Sequence, residues 1–99
     1  MRPITRFSSG TPGRSSTVVH DGLVFTVATA DTYELDMRKQ AAEALAKIDR
    51  QLAEAGTDKS RLLSATVYIT DMALKPQMNE VWDQWVDMGN PPQRACIGA

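Results

Sequence analysis

Residues 15–28 read SSTVVHDGLVFTVA, and this stretch decides how the chain folds. Two runs rich in β-branched and aromatic residues flank an Asp-Gly pair. The pattern predicts a hairpin, with strands over 16–19 and 23–28 joined by a tight turn at His20, Asp21 and Gly22. In the second strand Leu23, Phe25 and Val27 face one way, and Val24, Thr26 and Ala28 face the other. Both faces are apolar or small, so each calls for cover rather than open water.

Upstream, ITRF (4–7) reads as a further strand, set off by the turn-rich loop SSGTPGR. Downstream the apolar period changes from two to 3.6. Met37, Ala41, Leu45, Ile48, Leu52 and Ala55 line one side of a helix over 36–55, and Gly56 stands where a C-cap belongs. RLLSATVYIT (61–70) is a fourth strand, with Leu63, Ala65, Val67 and Ile69 opposite Leu62, Ser64, Thr66 and Tyr68. A second helix over 74–86 carries Leu74, Met78, Val81, Trp82 and Trp85 as its stripe, with Pro76 in its first turn. A last strand starts near Gln93. The order β-β-β-α-β-α-β predicts a single α+β domain over 1–99, with two helices on one sheet face. No element remains to cover the other face, so association of identical subunits through it is expected.

At 99 residues the chain supports one modest core, and a second subunit would help it. With 42% hydrophobic and 23% charged residues it has globular rather than disordered composition. Its net charge of −1, without any run of lysines and arginines, argues against a nucleic-acid partner. One cysteine excludes an internal disulfide or a multi-thiolate metal site and favours a reducing compartment. The opening MRPITRFSSGTPG lacks the apolar core of a signal peptide, and no stretch is fit to span a bilayer. A cytoplasmic protein without a membrane partner or a metal is expected.

Few residues suggest chemistry. SGTPGRSS lacks the Gly-Lys-Ser/Thr ending of a phosphate loop, and His20 has no triad or metal partners nearby. Asp71 reads as a turn or cap residue, Cys96 as a small apolar group without a base, and Asn79 as an exposed helix residue. Arg94, in NPPQRACIGA (90–99), stands apart. Its planar fork suits a carboxylate, held through two parallel hydrogen bonds; the plainer reading is a surface arginine at a strand start.

GLVFTVATA, RLLSATVYITDM, MNEVWDQWV and NPPQRACIGA together resemble the RidA/YjgF family of reactive-intermediate deaminases, in order and spacing, from about Ile4 to Ala99. The resemblance implies a chorismate-mutase-like fold, a mixed β-sheet with two helices on one face. It also implies homotrimers whose uncovered faces meet in a central barrel. The implied activity is cofactor-free hydrolysis of enamines and imines such as 2-aminoacrylate to 2-oxo acids and ammonia. By the same resemblance Arg94 grips the substrate carboxylate at a cleft between subunits. The backbone around Cys96 contributes hydrogen bonds there, and Asn79 lies near the site.

The sequence also departs from the family. Val27, Ala28 and Thr29 stand where Ser-Gly-Gln usually lines the pocket, which makes that wall less polar. Arg14 stands where many members have a tyrosine, adding a charge that would favour a more acidic substrate if it points inward. Gln93 replaces a small residue. Family members continue into a further strand carrying a glutamate thought to activate water; these 99 residues lack it, either as a piece of a longer chain or as a member without that acid. The competing expectation is therefore a trimer that binds or senses small carboxylates without converting them. RNA cleavage, attached to some relatives, finds no basic patch here.

Overall fold

The computed structural model describes residues 2–32 and 36–99. Strand β1 (Ile4–Ser8) pairs antiparallel with β2 (Ser15–His20), and β2 with β3 (Leu23–Thr26). The hairpin forms around Asp21 and Gly22, whose φ values of 54° and 79° suit an aspartate and a glycine. His20 closes β2 rather than lying in the turn, and its Nδ1 donates to the Pro3 carbonyl at 3.1 Å.

β3 ends two residues before the expected boundary. One ladder bond continues, from Val27 N to Ser16 O, but helix side chains then take the carbonyls. Gln51 donates to Val27 O at 3.0 Å and Lys47 to Thr29 O at 2.8 Å. Beneath this junction lies Thr17, almost wholly buried, 2.8 Å from the hydroxyl of Thr26.

Helix α1 (Met37–Glu54) starts on Asp36, whose carboxylate accepts from Lys39 N at 2.9 Å. It ends where Gly56, at φ 83°, lets its own N–H reach Ala53 O and that of Thr57 reach Leu52 O. Strand β4 (Ser64–Ile69) begins later than expected, because Asp58 caps a 3₁₀ turn over Lys59–Arg61 through Ser60 N. Leu63, expected within the strand, consequently lies exposed before it. Asp71 caps a second 3₁₀ turn, Met72–Leu74, which runs into α2 (Lys75–Trp85) with Pro76 in its first turn. The last strand, β5 (Gln93–Gly98), lies parallel to β4.

The core sits between the helices and one face of the strands. Met78, Trp82 and Val86 are its buried centre, packed by Met37, Ala41 and Leu45 from α1 and by Ala65, Val67 and Cys96 from β4 and β5. The opposite strand face is bare, as Phe25 (59% exposed), Val27 (65%) and Tyr68 (67%) record. One expectation needs correction. In place of one mixed sheet, the described strands form two: antiparallel β1–β2–β3 and parallel β4–β5, with no ladder joining β3 to β4. Each described strand takes its sequence neighbour or its parallel partner, and no ladder among the described residues crosses the middle.

Candidate functional site

Arg94 is the second residue of β5, and the rigid Pro91-Pro92 pair leads the chain into that strand. Its register partner on β4 is Ala65, a small residue that leaves room over the helix side of the sheet. The arginine and Cys96 share that side, while Gln93, Ala95 and Ile97 are exposed on the other.

The guanidinium meets one face of α2. Nη2 donates to Oδ1 of Asn79 at 2.8 Å, Nη1 approaches Met78 Sδ at 3.7 Å, and Cζ stands 5.3 Å from the centroid of the Trp82 ring. Asn79 and Trp82 are three residues apart and Met78 and Trp82 four, so helical spacing places all three on a single patch. Met78 and Trp82 are buried, Asn79 and Arg94 half-buried. No carboxylate among the described residues pairs with Arg94. Of the five guanidinium donors two are engaged, which leaves three without a partner among the described residues.

A cation in this setting has a specific chemistry. The indole face favours positive charge over it, and Asn79 fixes the plane without neutralising it. The remaining donors can take a carboxylate in forked geometry.

The other sequence candidates fall in different places. Cys96 is a free, half-buried thiol packed on the Met78–Trp82–Val86 cluster. Val27 and Ala28 border a cavity of about 500 Å³ between the two sheets. Met78 and Trp82 line that cavity too and are the wall it shares with Arg94, which does not line it. Arg14 is exposed before β2, and its side chain makes no hydrogen bond or ion pair with the described residues. Nothing within the chain brings it to Arg94. Sequence reasoning took Met78 and Trp82 as core only; the three- and four-residue spacings to Asn79 and Trp82 were the signal that they share the arginine's patch. Among the described residues no His, Cys, Asp and Glu cluster could hold a metal ion, and no helix is long and apolar enough to cross a membrane.

Two helices laid across one face of paired strands define a small α+β class. Within it the likeness is specific: a family model described as endoribonuclease L-PSP matches residues 1–99. A RutC family protein of Haemophilus ducreyi is 41% identical over 86 residues, covering 86% of this chain and 74% of that protein. The RutC family protein YoaB of Escherichia coli K12 is 33% identical over 85 residues, covering 86% and 75%. The crystal structure of NMB1025 from Neisseria meningitidis, a member of the YjgF protein family, superposes with a TM-score of 0.92. It is 42% identical and covers 98% of this chain and 81% of its own. The chain belongs to the YjgF/Rid family.

Proposed function

We propose that this protein hydrolyses reactive 2-imino and enamine acids of the 2-aminoacrylate type to 2-oxo acids and ammonia, without a cofactor, as a homotrimer. The observation that carries this reading is a half-buried Arg94 braced by Asn79 and Trp82 and lacking a counter-charge among the described residues. Arg94 receives the substrate carboxylate and so fixes the position of the neighbouring C2. An enamine first takes a proton at C3 to become the imine; water then adds across the C2–N double bond, and the carbinolamine loses ammonia as its C2 hydroxyl gives up its proton and becomes the carbonyl. Converting a diffusive encounter into a fixed orientation is the arginine's contribution to rate. Backbone groups around Cys96 hold the reacting end, with Val27 and Ala28 from a neighbouring subunit forming the apolar side of the cleft. Arg14 reaches this cleft only across a subunit boundary.

A second reading is a trimer that binds small carboxylates without turnover. It is favoured by the lack of any carboxylate beside Arg94 among the described residues, which leaves no nearby group to activate water. RNA cleavage gains little support from a chain of net charge −1.

The deciding experiment follows 2-oxo acid and ammonia released from freshly generated 2-aminoacrylate. Wild type is expected to accelerate release, Arg94→Ala to abolish the acceleration, and Arg94→Lys to retain little of it, since lysine is a point charge rather than a fork. Lysine at near wild-type rate would refute the forked grip. No acceleration by a wild type that still binds a 2-oxo acid would establish the second reading.

A further inference from the structure

We infer that Glu43, Lys47 and Gln51 are positioning residues of the substrate cleft, which strap residues 27–32 to α1 and so set the length of substrate side chain that the cleft accepts. This role rests on the reading above, in which Val27 and Ala28 form the apolar side of that cleft. Past Thr26 the chain makes one last ladder bond to β2, from Val27 N to Ser16 O at 3.2 Å. From there helix side chains hold its main chain. Gln51 donates to Val27 O at 3.0 Å, and Lys47 donates to Thr29 O at 2.8 Å and to the Asp31 carboxylate. Glu43 accepts from Asp31 N and, at 3.2 Å, from Thr32 N.

These contacts keep a register. Residues 27, 29 and 31 meet positions 51, 47 and 43, so two residues of the segment answer four of the helix, in opposite directions. Four helical residues rise about 6 Å and two extended residues about 6.6 Å, a match close enough to hold over both steps. Polarity matches as well: two donors meet carbonyls and one acceptor meets amides. Glu43 and Lys47 stand four apart in the order that favours a pair with each other. The ion pairs among the described residues include none between them; both turn to the segment instead, and the Lys47 side chain is left only 20% exposed.

The product is a wall of fixed position. Val27 is β-branched, so its isopropyl group follows its backbone stiffly, and it stands 65% exposed, free to meet a neighbour. Its carbonyl is anchored by Gln51 and the carbonyl two residues on by Lys47, so what moves these anchors moves the wall. A fixed wall reads the length of a substrate side chain by exclusion, whereas a loose one yields to each added methylene.

The test uses the full chain with Lys47→Met, which keeps side-chain length but loses the donors, and with Lys47→Arg, which restores them. Titration calorimetry measures pyruvate and 2-oxohexanoate. Wild type should bind pyruvate at least about tenfold more tightly than the longer acid, Lys47→Met should narrow the preference to within about threefold, and Lys47→Arg should recover it. Amide hydrogen exchange is read by NMR on the same proteins. An ammonium group carries donors only and bonds no amide. A strap that moves as a unit therefore predicts exchange at least about fivefold faster in Lys47→Met at Val27 and Thr32, whose own bonds go to Ser16 and Glu43. The amides that pair β4 with β5 should not change. Unchanged exchange at Val27 and Thr32, equal acceleration in β4 and β5, or a binding ratio that stays constant or falls alike in both variants would each overturn the inference. Binding of neither acid by wild type would instead overturn the cleft reading, and with it any role of the strap in specificity.

Discussion

Nη2 of Arg94 donates to Oδ1 of Asn79 across 2.8 Å, tying β5 to α2, while no carboxylate among the described residues compensates the arginine's charge. A neutral amide braces the guanidinium and an anionic group would satisfy it, so the two substitutions at position 79 should differ. Asn79→Ala frees the side chain and should weaken pyruvate binding by about 10- to 100-fold, the value of one hydrogen bond to a charged group. Asn79→Asp should weaken it further, because the carboxylate occupies the arginine as an internal ion pair. Titration calorimetry with pyruvate, with Tm measured alongside, checks both. Equal losses in the two variants, or losses that track Tm, would remove Asn79 from any role in positioning Arg94.

Gln51 holds the end of β3. Its amide nitrogen donates to Thr26 Oγ1 at 2.6 Å and to Val27 O at 3.0 Å, above the buried Thr17 hydroxyl. Gln51→Leu keeps the volume and removes both donors. The expected cost is about 0.5–1.5 kcal/mol in urea unfolding, the net value of an ordinary hydrogen bond, since Thr26 Oγ1 keeps Thr17 and the Val27 carbonyl is open to water. A change below about 0.5 kcal/mol would mean that water replaces the amide without loss.

The two helices are also linked at their exposed edge, where Arg38 Nε donates to Glu80 at 2.6 Å. That hydrogen bond, and then the arginine's charge, hold the Glu80 carboxyl below its ordinary value. A carboxyl depressed in the folded state stabilises above its unfolded pKa and loses that contribution as pH falls through the folded value. Tm should therefore drop on acidification below about pH 4.5 less steeply in Glu80→Gln than in wild type. The difference should shrink in 1 M salt, since both partners are exposed. Parallel Tm curves for the two proteins would show that the pair contributes nothing.

Much of this fold was readable from apolar period alone. The 2-residue alternation through Val24 and Phe25 and the 3.6-residue stripe through Ala41, Leu45 and Leu52 each report which side of an element is covered, and burial follows them. Strand partners were less legible. Alternation reveals the faces of β3 and β4 but says nothing of what lies at their edges, so the division into two sheets was invisible. Leu63 misled because it continues the alternation of β4, while Asp58 and Ser60 set a 3₁₀ turn that delays the strand. Within the site, Arg94 could be singled out because a cation in an apolar strand is unusual. Its meeting with Asn79 could not, because fifteen positions and a change from helix to strand separate them.

The bare sheet face gives the last prediction. Phe25 directs its main chain to β2 and is itself 59% exposed, so a charged residue there leaves the described core untouched. Tyr68 presents a similar apolar surface from the other sheet, and exposed rings of this kind mark association surfaces. Sedimentation equilibrium at tens of micromolar should find wild type at three times the chain mass and Phe25→Lys at the monomer mass, with far-UV circular dichroism unchanged. If the substrate cleft is shared between subunits, the lysine variant should also lose 2-aminoacrylate turnover while Arg94 remains intact. A trimer that persists in Phe25→Lys would place the subunit interface elsewhere. A monomeric variant retaining full turnover would show that Arg94, Asn79 and Trp82 suffice within one chain.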